Sequence, residues 1–153
     1  MKISKRLRLS IPIICSLIII TIPCTKEPRA MDLDQFKWKN RLLFLFSPTR
    51  SHPLFDTLQK SLADRQPGVA DRDLVIFEIL ESGSSRINTE NMDPQTAQSL
   101  RERFEVSPGQ FTVILVGKDG GTKMNRNEET QLVDIFGLID SMPMRQDEMR
   151  RKK

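Results

Sequence analysis

The sequence has few of the side chains that carry redox, metal or acid–base chemistry. It contains two cysteines and one histidine in 153 residues. Both cysteines, Cys15 and Cys24, precede residue 31, so the chain from residue 31 onward can form no disulfide, no thiolate metal site and no cysteine nucleophile. Because His52 is the only histidine and no carboxylates cluster at ligand spacing, we expect neither a metal nor another cofactor.

The sequence also lacks the basic surface that marks a nucleic-acid-binding protein. The formal net charge is +4, but residues 1–30 alone carry six basic residues and one acidic residue. Residues 31–153 therefore carry 18 of the 24 Lys and Arg against 19 of the 20 Asp and Glu, a net charge of −1. A nearly neutral body has no electrostatic footprint for a polyanion, so we expect no nucleic-acid partner.

The first 30 residues are typical of an export signal. Residues 1–10 are cationic, and residues 11–22 form an apolar run about as long as the core of a signal peptide. That run is shorter than the roughly 20 residues of a transmembrane helix. We expect residues 1–30 to be a signal peptide or N-terminal membrane anchor on an exported protein, whether periplasmic, envelope-associated or extracellular. Cleavage, lipidation at Cys24 and retention of the leader all remain open.

The rest of the chain alternates between apolar runs and amphipathic segments. Continuous apolar runs predict buried strands at residues 42–46, 74–80 and 111–116. The Asp119-Gly120 pair predicts a type I′ turn and a hairpin after the third strand. Helical spacing of apolar residues predicts helices at 53–62, 94–104 and 130–142. The remaining segments predict a polar connector at 64–71, a mobile loop at 81–91 and a frayed tail from residue 144, and Trp38 is expected to cover the sheet edge.

This order of elements predicts an α/β fold. Strands separated by helices call for parallel crossovers, and the last two strands, joined by a tight turn, must be antiparallel. A thioredoxin-like three-layer sandwich satisfies both, with a mixed four-stranded sheet flanked by helices. We assign it to residues 31–146, followed by a basic C-terminal tail at 147–153.

Two stretches carry a resemblance that goes beyond topology. Residues 111–123 and 139–149 resemble an uncharacterised thioredoxin-like domain-of-unknown-function family, and the Met-Pro-Met-Arg sequence in the second is the most distinctive part. Residues 38–42 and 72–74 are similar to further signatures of that family. The family occurs in short exported bacterial proteins and in sushi-repeat and coiled-coil-containing extracellular matrix proteins. The resemblance spans residues 36–149, implies the fold and an exported location, and implies no particular activity.

The resemblance to thioredoxin can be tested at the positions of its redox chemistry. In that fold the redox pair lies between the first long strand and the following helix, here residues 47–53. The nearest positions are Arg50 and Pro53, and neither can exchange disulfides. The usual cis-proline position corresponds to Gln110-Phe111. We therefore expect no thiol redox or peroxidase catalysis and assign no catalytic residue.

Nine residues are candidates for a binding role. Three lie in the loop of residues 47–53, where a solvated loop histidine is the alternative to an acid–base group. Two lie at the hairpin, where turn chemistry alone explains the aspartate. Four surround the Met-Pro-Met-Arg sequence, where the alternative to an exposed docking surface is that both methionines pack under the sheet while the two charged residues pair. The candidates are Arg50, Ser51, His52, Lys118, Asp119, Asp140, Met142, Met144 and Arg145.

Two functions from different classes fit these features. The preferred hypothesis is an exported thioredoxin-like domain without redox cysteines that binds a protein or an envelope or matrix component. The alternative is a non-thiol enzyme that uses the loop of residues 47–53, and a purely structural envelope protein is a third possibility. Membrane contact is expected only through the leader. The sequence defines neither the partner nor the oligomeric state.

Overall fold

The computed structural model describes residues 31–152, and the expected leader at 1–30 lies outside the described residues. Within residues 31–152, no helix is long and apolar enough to span a membrane. A short 3₁₀ helix opens the described chain at Leu33–Phe36. The α-helices that follow are α1 (Pro53–Asp64), α2 (Gln66–Asp71), α3 (Pro94–Arg103), α4 (Leu132–Ser141) and α5 (Pro143–Arg151).

The strands form one mixed sheet with the order β4-β3-β2-β1-β5-β6. Strands β1 and β2 are parallel, and every other neighbouring pair is antiparallel. The four predicted strands are the four long ones of this sheet, but the predicted strand number was too low, because two short strands extend one edge. The strands are β1 (Arg41–Ser47), β2 (Leu74–Leu80), β3 (Arg86–Ile87), β4 (Glu90–Asn91), β5 (Thr112–Val116) and β6 (Thr122–Arg126).

Strand β1 lies at the centre of the fold, and all seven of its residues are buried. Alternate side chains of a strand point to opposite faces, so each face of the sheet has its own core. Leu43 and Leu45 belong to the core under α1, α2 and α4. Phe44 and Phe46 belong to the core under α3 and the 3₁₀ helix. This is the expected three-layer arrangement, and it explains why the strand sequences read as continuous apolar runs.

The hairpin between β5 and β6 differs from the expected turn type. A type I′ turn needs positive φ at both central residues, but Asp119 has no positive φ, while Gly120 has a φ of +82°. The N–H of Gly120 donates to the carbonyl of Gly117 (2.9 Å), and the N–H of Gly117 donates to the carbonyl of Gly121 (2.9 Å). The loop therefore has three residues and ends on a left-handed glycine, and the type I′ prediction was wrong.

Two segments expected to be irregular are ordered. Residues 66–71 form α2, because Val69 is buried against the core and tertiary packing overrides the polar composition. The segment 81–91 contains the β3–β4 hairpin. At the edge of β2, Asn88 makes the hydrogen bonds that a neighbouring strand would make. Its side-chain oxygen accepts the N–H of Ile76 (2.9 Å), and its backbone N–H donates to the carbonyl of Ile76 (2.7 Å).

The C-terminal segment and Trp38 also differ from expectation. Residues 143–151 form α5 rather than a frayed tail. Trp38 does not cover the sheet edge, since 68% of it is exposed. Its backbone is left-handed (φ +64°), and its N–H donates to the carbonyl of Lys118 (2.7 Å). The backbone of residue 38 is therefore fixed while its indole makes little contribution to the core.

The exposure and backbone geometry of Trp38 predict how substitutions at this position change the free energy of unfolding. Trp38→Ala should change the free energy of unfolding by less than about 1 kcal/mol, because little apolar area is lost. Trp38→Gly should be more stable than Trp38→Ala by about 1 kcal/mol, since glycine adopts positive φ without steric cost. Urea unfolding followed by far-UV circular dichroism measures both. A large loss in both variants would mean that the indole packs against the domain.

Candidate functional site

The candidate binding residues separate into two groups at opposite ends of β1. The loop of residues 47–53 follows the carboxyl end of this strand. The hairpin lies at its amino end, because β5 is antiparallel to β1 and Leu42 pairs with Val116. A seven-residue strand is about 20 Å long, so the two groups cannot form a single site.

In the loop, the charged and hydroxyl candidates are engaged in local contacts. The Arg50 guanidinium donates to a Glu78 carboxylate oxygen (3.0 Å) and to the carbonyl of Ser84 (3.3 Å). The Ser51 hydroxyl lies 3.2 Å from the hydroxyl of Thr49. These contacts tie the loop to β2 and to the segment after it. They do not activate either residue for chemistry.

Within residues 31–152, His52 is not placed as the base of a hydrolytic site. Its ring stacks on Phe111 with a centroid separation of 5.4 Å and an interplanar angle of 6°. Its Nδ1 is buried and has no hydrogen-bond partner within residues 31–152. A nucleophile–base pair needs a hydrogen bond between the two and a group that orients the base. The described part of the loop has neither.

The other six candidates meet at the amino end of β1. A cleft of about 530 Å³ opens between the hairpin and the corner where α4 meets α5. Met142 is half-buried and packs against the core, whereas Met144 is 38% exposed. Packing of both methionines under the sheet, the alternative to an exposed docking surface, is therefore seen only for Met142. The cleft is lined by Arg41, Gly117, Lys118, Asp119, Lys123, Ser141, Met142, Pro143 and Met144.

Beneath the cleft, a buried arginine is neutralised by the last helix. Arg41 is only 1% exposed, and its two terminal nitrogens each lie 3.2 Å from a different oxygen of Glu148. Lys118 contacts the same carboxylate (2.8 Å) and also Asp73 (2.8 Å). Burial raises the pKa of Glu148, but the hydrogen bonds from Lys118 and Arg41 outweigh it, so the pKa lies below its usual value.

A second set of ion pairs joins α4 and α5 to the end of α2. Arg145, only 2% exposed, contacts the carboxylates of Asp71 and Asp140, and Arg72 contacts the other oxygen of Asp140 (2.5 Å). The structure thus shows the expected pairing of Asp140 with Arg145. Hydrogen bonds from Lys152 and Arg145 lower the pKa of Asp71 to about 2. Burial opposes the charge on Arg145, but its bonds to Asp71 and Asp140 raise its pKa overall.

Sequence reasoning missed six of the nine residues of this ion network, which we define as Arg41, Asp71, Arg72, Asp73, Lys118, Asp140, Arg145, Glu148 and Lys152. Arg41 and Glu148 are 107 residues apart, and nothing local in the sequence pairs them. One feature of the sequence could have indicated the pairing. Arg41 directly precedes a continuous apolar run, so its charge lies beside the core and needs a counter-ion.

The arrangement provides a fixed frame rather than reactive groups. Its acidic and basic side chains are paired with one another, and none is a free nucleophile or base. Among the described residues, no group of three or more His, Cys, Asp or Glu is placed to hold a metal ion. What remains available to a ligand is the apolar surface of Met142, Pro143 and Met144 and the charged rim formed by Lys123 and Asp119 (2.6 Å apart).

Comparison with known families gives a match over nearly all of the described residues. The profile described as "Domain of unknown function (DUF4174)" matches residues 32–148, from the 3₁₀ helix to Glu148. The chain belongs to this family. The match confirms the family expected from residues 111–123 and 139–149.

Relatives of the DUF4174 chain are much longer proteins. The coiled-coil domain-containing protein 80 of Danio rerio is 25% identical over 148 residues, which are 84% of this chain and 17% of that protein. The sushi repeat-containing protein SRPX of Homo sapiens is 32% identical over 120 residues, which are 76% of this chain and 26% of that protein. The chain therefore spans only about a sixth to a quarter of the length of these relatives.

Solved structures confirm the thioredoxin-like fold. A reduced 2-Cys peroxiredoxin from Plasmodium vivax superimposes with a TM-score of 0.58 at 13% identity, covering 76% of this chain and 85% of that one. Thioredoxin peroxidase I from Plasmodium yoelii gives 0.56 at 14% identity, covering 76% and 80%. At these identities the similarity shows the fold alone.

Removing the counter-ion of Arg41 should be strongly destabilising. Glu148→Gln leaves a buried guanidinium without its carboxylate, and we expect a loss of about 2–4 kcal/mol in the free energy of unfolding. The matched control is Asp56→Asn, which breaks the exposed pair with Lys60 on α1 and should cost less than about 1 kcal/mol. Chemical denaturation measures both. Equal losses would show that Arg41 does not depend on Glu148.

The lowered pKa values of Asp71 and Glu148 predict acid sensitivity. A carboxylate whose pKa is lower when folded stabilises the protein above its unfolded pKa of about 4, and this stabilisation is lost as the pH falls through the folded value. For Asp71 that value is about 2. The free energy of unfolding should therefore fall between about pH 4 and 2, and the fall should be shallower in Asp71→Asn. Identical pH profiles of the two proteins would contradict this assignment.

Proposed function

We propose that this protein is an exported, thioredoxin-like binding domain without thiol chemistry, and that it binds a protein or an envelope or matrix component through the cleft between the hairpin and the α4–α5 corner. The observation that carries the proposal is the convergence of four candidate residues, Lys118, Asp119, Met142 and Met144, on the lining of this one cleft, where Met144 is exposed.

The composition of the cleft supports macromolecular recognition. Methionine is flexible and polarisable, and therefore adapts to irregular partner surfaces. Met144 is one of three large apolar side chains that are exposed within residues 31–152. A central apolar patch with a polar rim is the usual anatomy of a protein interface, and Lys123 and Asp119 supply such a rim here.

The ion network supports the proposal by holding the cleft in one shape. Lys118 joins the hairpin to the residue before β2, Asp73, and to Glu148 of α5. Arg145, which directly follows Met144, is fixed by Asp71 and Asp140. A preorganised surface loses less conformational entropy when it binds, so more of the contact energy appears as affinity.

Export and a modular role are supported by the sequence and by the comparisons. Residues 1–30 have the charge and apolar length of an export signal. The relatives contain this domain as a small part of a longer chain, as expected of a binding module. The alternative of a non-thiol enzyme in the loop of residues 47–53 gains no support, since Ser51 bonds Thr49 and His52 stacks on Phe111.

Substitution of Met144 tests the cleft directly. With the protein as bait in an envelope or extracellular extract, we expect a partner whose recovery falls at least about tenfold in Met144→Glu, because a charge then occupies the apolar centre of the interface. The control is Val133→Glu on α4, where the valine is 65% exposed and does not line the cleft. Met142 is left unchanged because it packs into the core.

The comparison of the two variants decides the outcome. Circular dichroism and thermal unfolding must first show that both variants remain folded. Equal recovery with Met144→Glu and Val133→Glu would contradict the assignment of the cleft. Loss of the partner only in Val133→Glu would place the binding surface on the exposed face of α4.

A further inference from the structure

The indole of Trp38 is the most exposed of the large apolar side chains within residues 31–152, at 68%. It is the only tryptophan of the chain and does not line the cleft, so a role for it is independent of the proposed function. Its backbone is held in place, because its N–H donates to the carbonyl of Lys118 in the hairpin (2.7 Å). Tryptophan is mostly buried in folded proteins, since its large apolar area is unfavourable in water. A fixed backbone that presents this side chain to solvent therefore indicates a contact with another molecule.

Exposed basic side chains lie at the same end of the molecule as this indole. Lys39 directly follows Trp38, Arg151 ends α5, and neither makes an ion pair within residues 31–152. The end of α5 is held here by the next residue, Lys152, whose ammonium contacts Asp71 shortly before β2 (2.8 Å). Strand β2 in turn starts beside the start of β1. All three cations are exposed, so they are available to an anionic partner.

The charge of the described chain is unevenly distributed in the same sense. The segments that form the amino end of β1 and its surroundings are residues 31–41, 71–73, 117–123 and 140–152. They carry ten basic and eight acidic residues, a net charge of +2. The rest of the described chain carries seven basic and eleven acidic residues, a net charge of −4. An anionic surface therefore attracts one end of the molecule and repels the other, which orients the molecule although its total charge is negative.

The first described residues lie at this end as well. Met31 packs against the core under the 3₁₀ helix, and Leu33 borders the same hollow as Gly117 of the hairpin. The apolar run of the expected leader ends at residue 22, and residues 23–30 can reach at most about 28 Å. A leader retained in a membrane therefore keeps the amino end of β1 close to the lipid headgroups.

We propose that the amino-end surface, which we define as Trp38, Lys39, Arg151 and Lys152, rests on an anionic phospholipid bilayer with the Trp38 indole at the level of the headgroups. An indole has an apolar body and one polar N–H, and such side chains concentrate at membrane–water interfaces. Anionic lipid attracts the three cations, whose aliphatic stems can lie along apolar surface. A soluble polyanion would need the cations alone, whereas the exposed indole favours a lipid interface.

The leader makes this surface effective. One aromatic ring and a few cations bind a membrane reversibly, and stable attachment needs a second signal. A leader inserted in the same bilayer supplies that signal, because docking of the domain then becomes an intramolecular step at a high effective concentration of lipid. The amino-end surface therefore sets the orientation of the domain on the membrane, while the leader provides the attachment.

The test follows the fluorescence of Trp38 in the full chain as vesicles are added. Because the chain has one tryptophan, the emission reports on this side chain alone. With vesicles of equimolar phosphatidylcholine and phosphatidylglycerol, we expect the emission to move to shorter wavelength and its quenching by acrylamide to decrease. Vesicles of phosphatidylcholine alone should give a much smaller change. High salt should reverse the change in the mixed vesicles, because it screens the attraction between exposed charges.

Charge variants locate the contact on the molecule. Lys39→Gln and Arg151→Gln should each lower the ratio of shielded to exposed indole about fivefold, which is the effect of one cation near an anionic bilayer. The matched control is Arg126→Gln, which removes another exposed cation without an ion pair within residues 31–152. Arg126 lies opposite Val113 on β5, toward the carboxyl end of β1, so its loss should leave the ratio unchanged.

The outcomes separate a lipid surface from other partners. No change of emission with the mixed vesicles would overturn the proposal, whether or not the chain sediments with them. An equal change with phosphatidylcholine alone would also overturn it, as would an equal loss of shielding in Arg126→Gln and Lys39→Gln. A change of emission with soluble heparin, at unchanged emission with the mixed vesicles, would overturn it in favour of a soluble polyanion.

Discussion

The architecture of this domain depends on one buried charge. Arg41 opens the central strand, and its side chain is almost fully enclosed. An arginine remains charged at any physiological pH, so it requires a counter-ion at that place. Glu148 supplies it from the last helix with two matched contacts, and Lys118 supports the same carboxylate from the hairpin. The first strand of the sheet therefore constrains both the hairpin and the C-terminal end of the chain.

This constraint explains how a helix without an apolar face is held in place. The buried residue of α5 is Arg145, a charged side chain rather than a leucine or valine. Hydrophobic burial contributes little there, and directional ion pairs decide the position of the helix. Directional contacts fix the rotation of a helix more closely than apolar packing does. As a result, the orientation of Met144 over the cleft follows from the pairing of its neighbour Arg145 with Asp71 and Asp140.

The sequence predicted what depends on local periodicity and missed what depends on distant pairs. Strands β1, β2 and β5 were predictable because apolar runs indicate strands that are covered on both faces. Helix α5 was not predictable in the same way, since its partners Arg41 and Asp71 are distant in the chain and its own sequence has no apolar stripe. The cleft was predicted in part: the hairpin and the Met-Pro-Met-Arg sequence supplied candidates, but only the fold brings them together. Trp38 was misassigned because aromatic residues are usually buried, whereas backbone geometry decides here.

Local rules are broken at a few positions, and their surroundings distinguish the causes. Trp38 and Glu105 both have positive φ, which is unfavourable for residues with a side chain. At Trp38 the backbone N–H donates a hydrogen bond to the hairpin, so the strained backbone conformation helps to hold the hairpin in place. At Glu105 the N–H donates to the carbonyl of Glu102 at the end of α3, and glycine would make the same backbone bond without strain. Folding alone would favour glycine at position 105, because glycine adopts a positive φ at little steric cost.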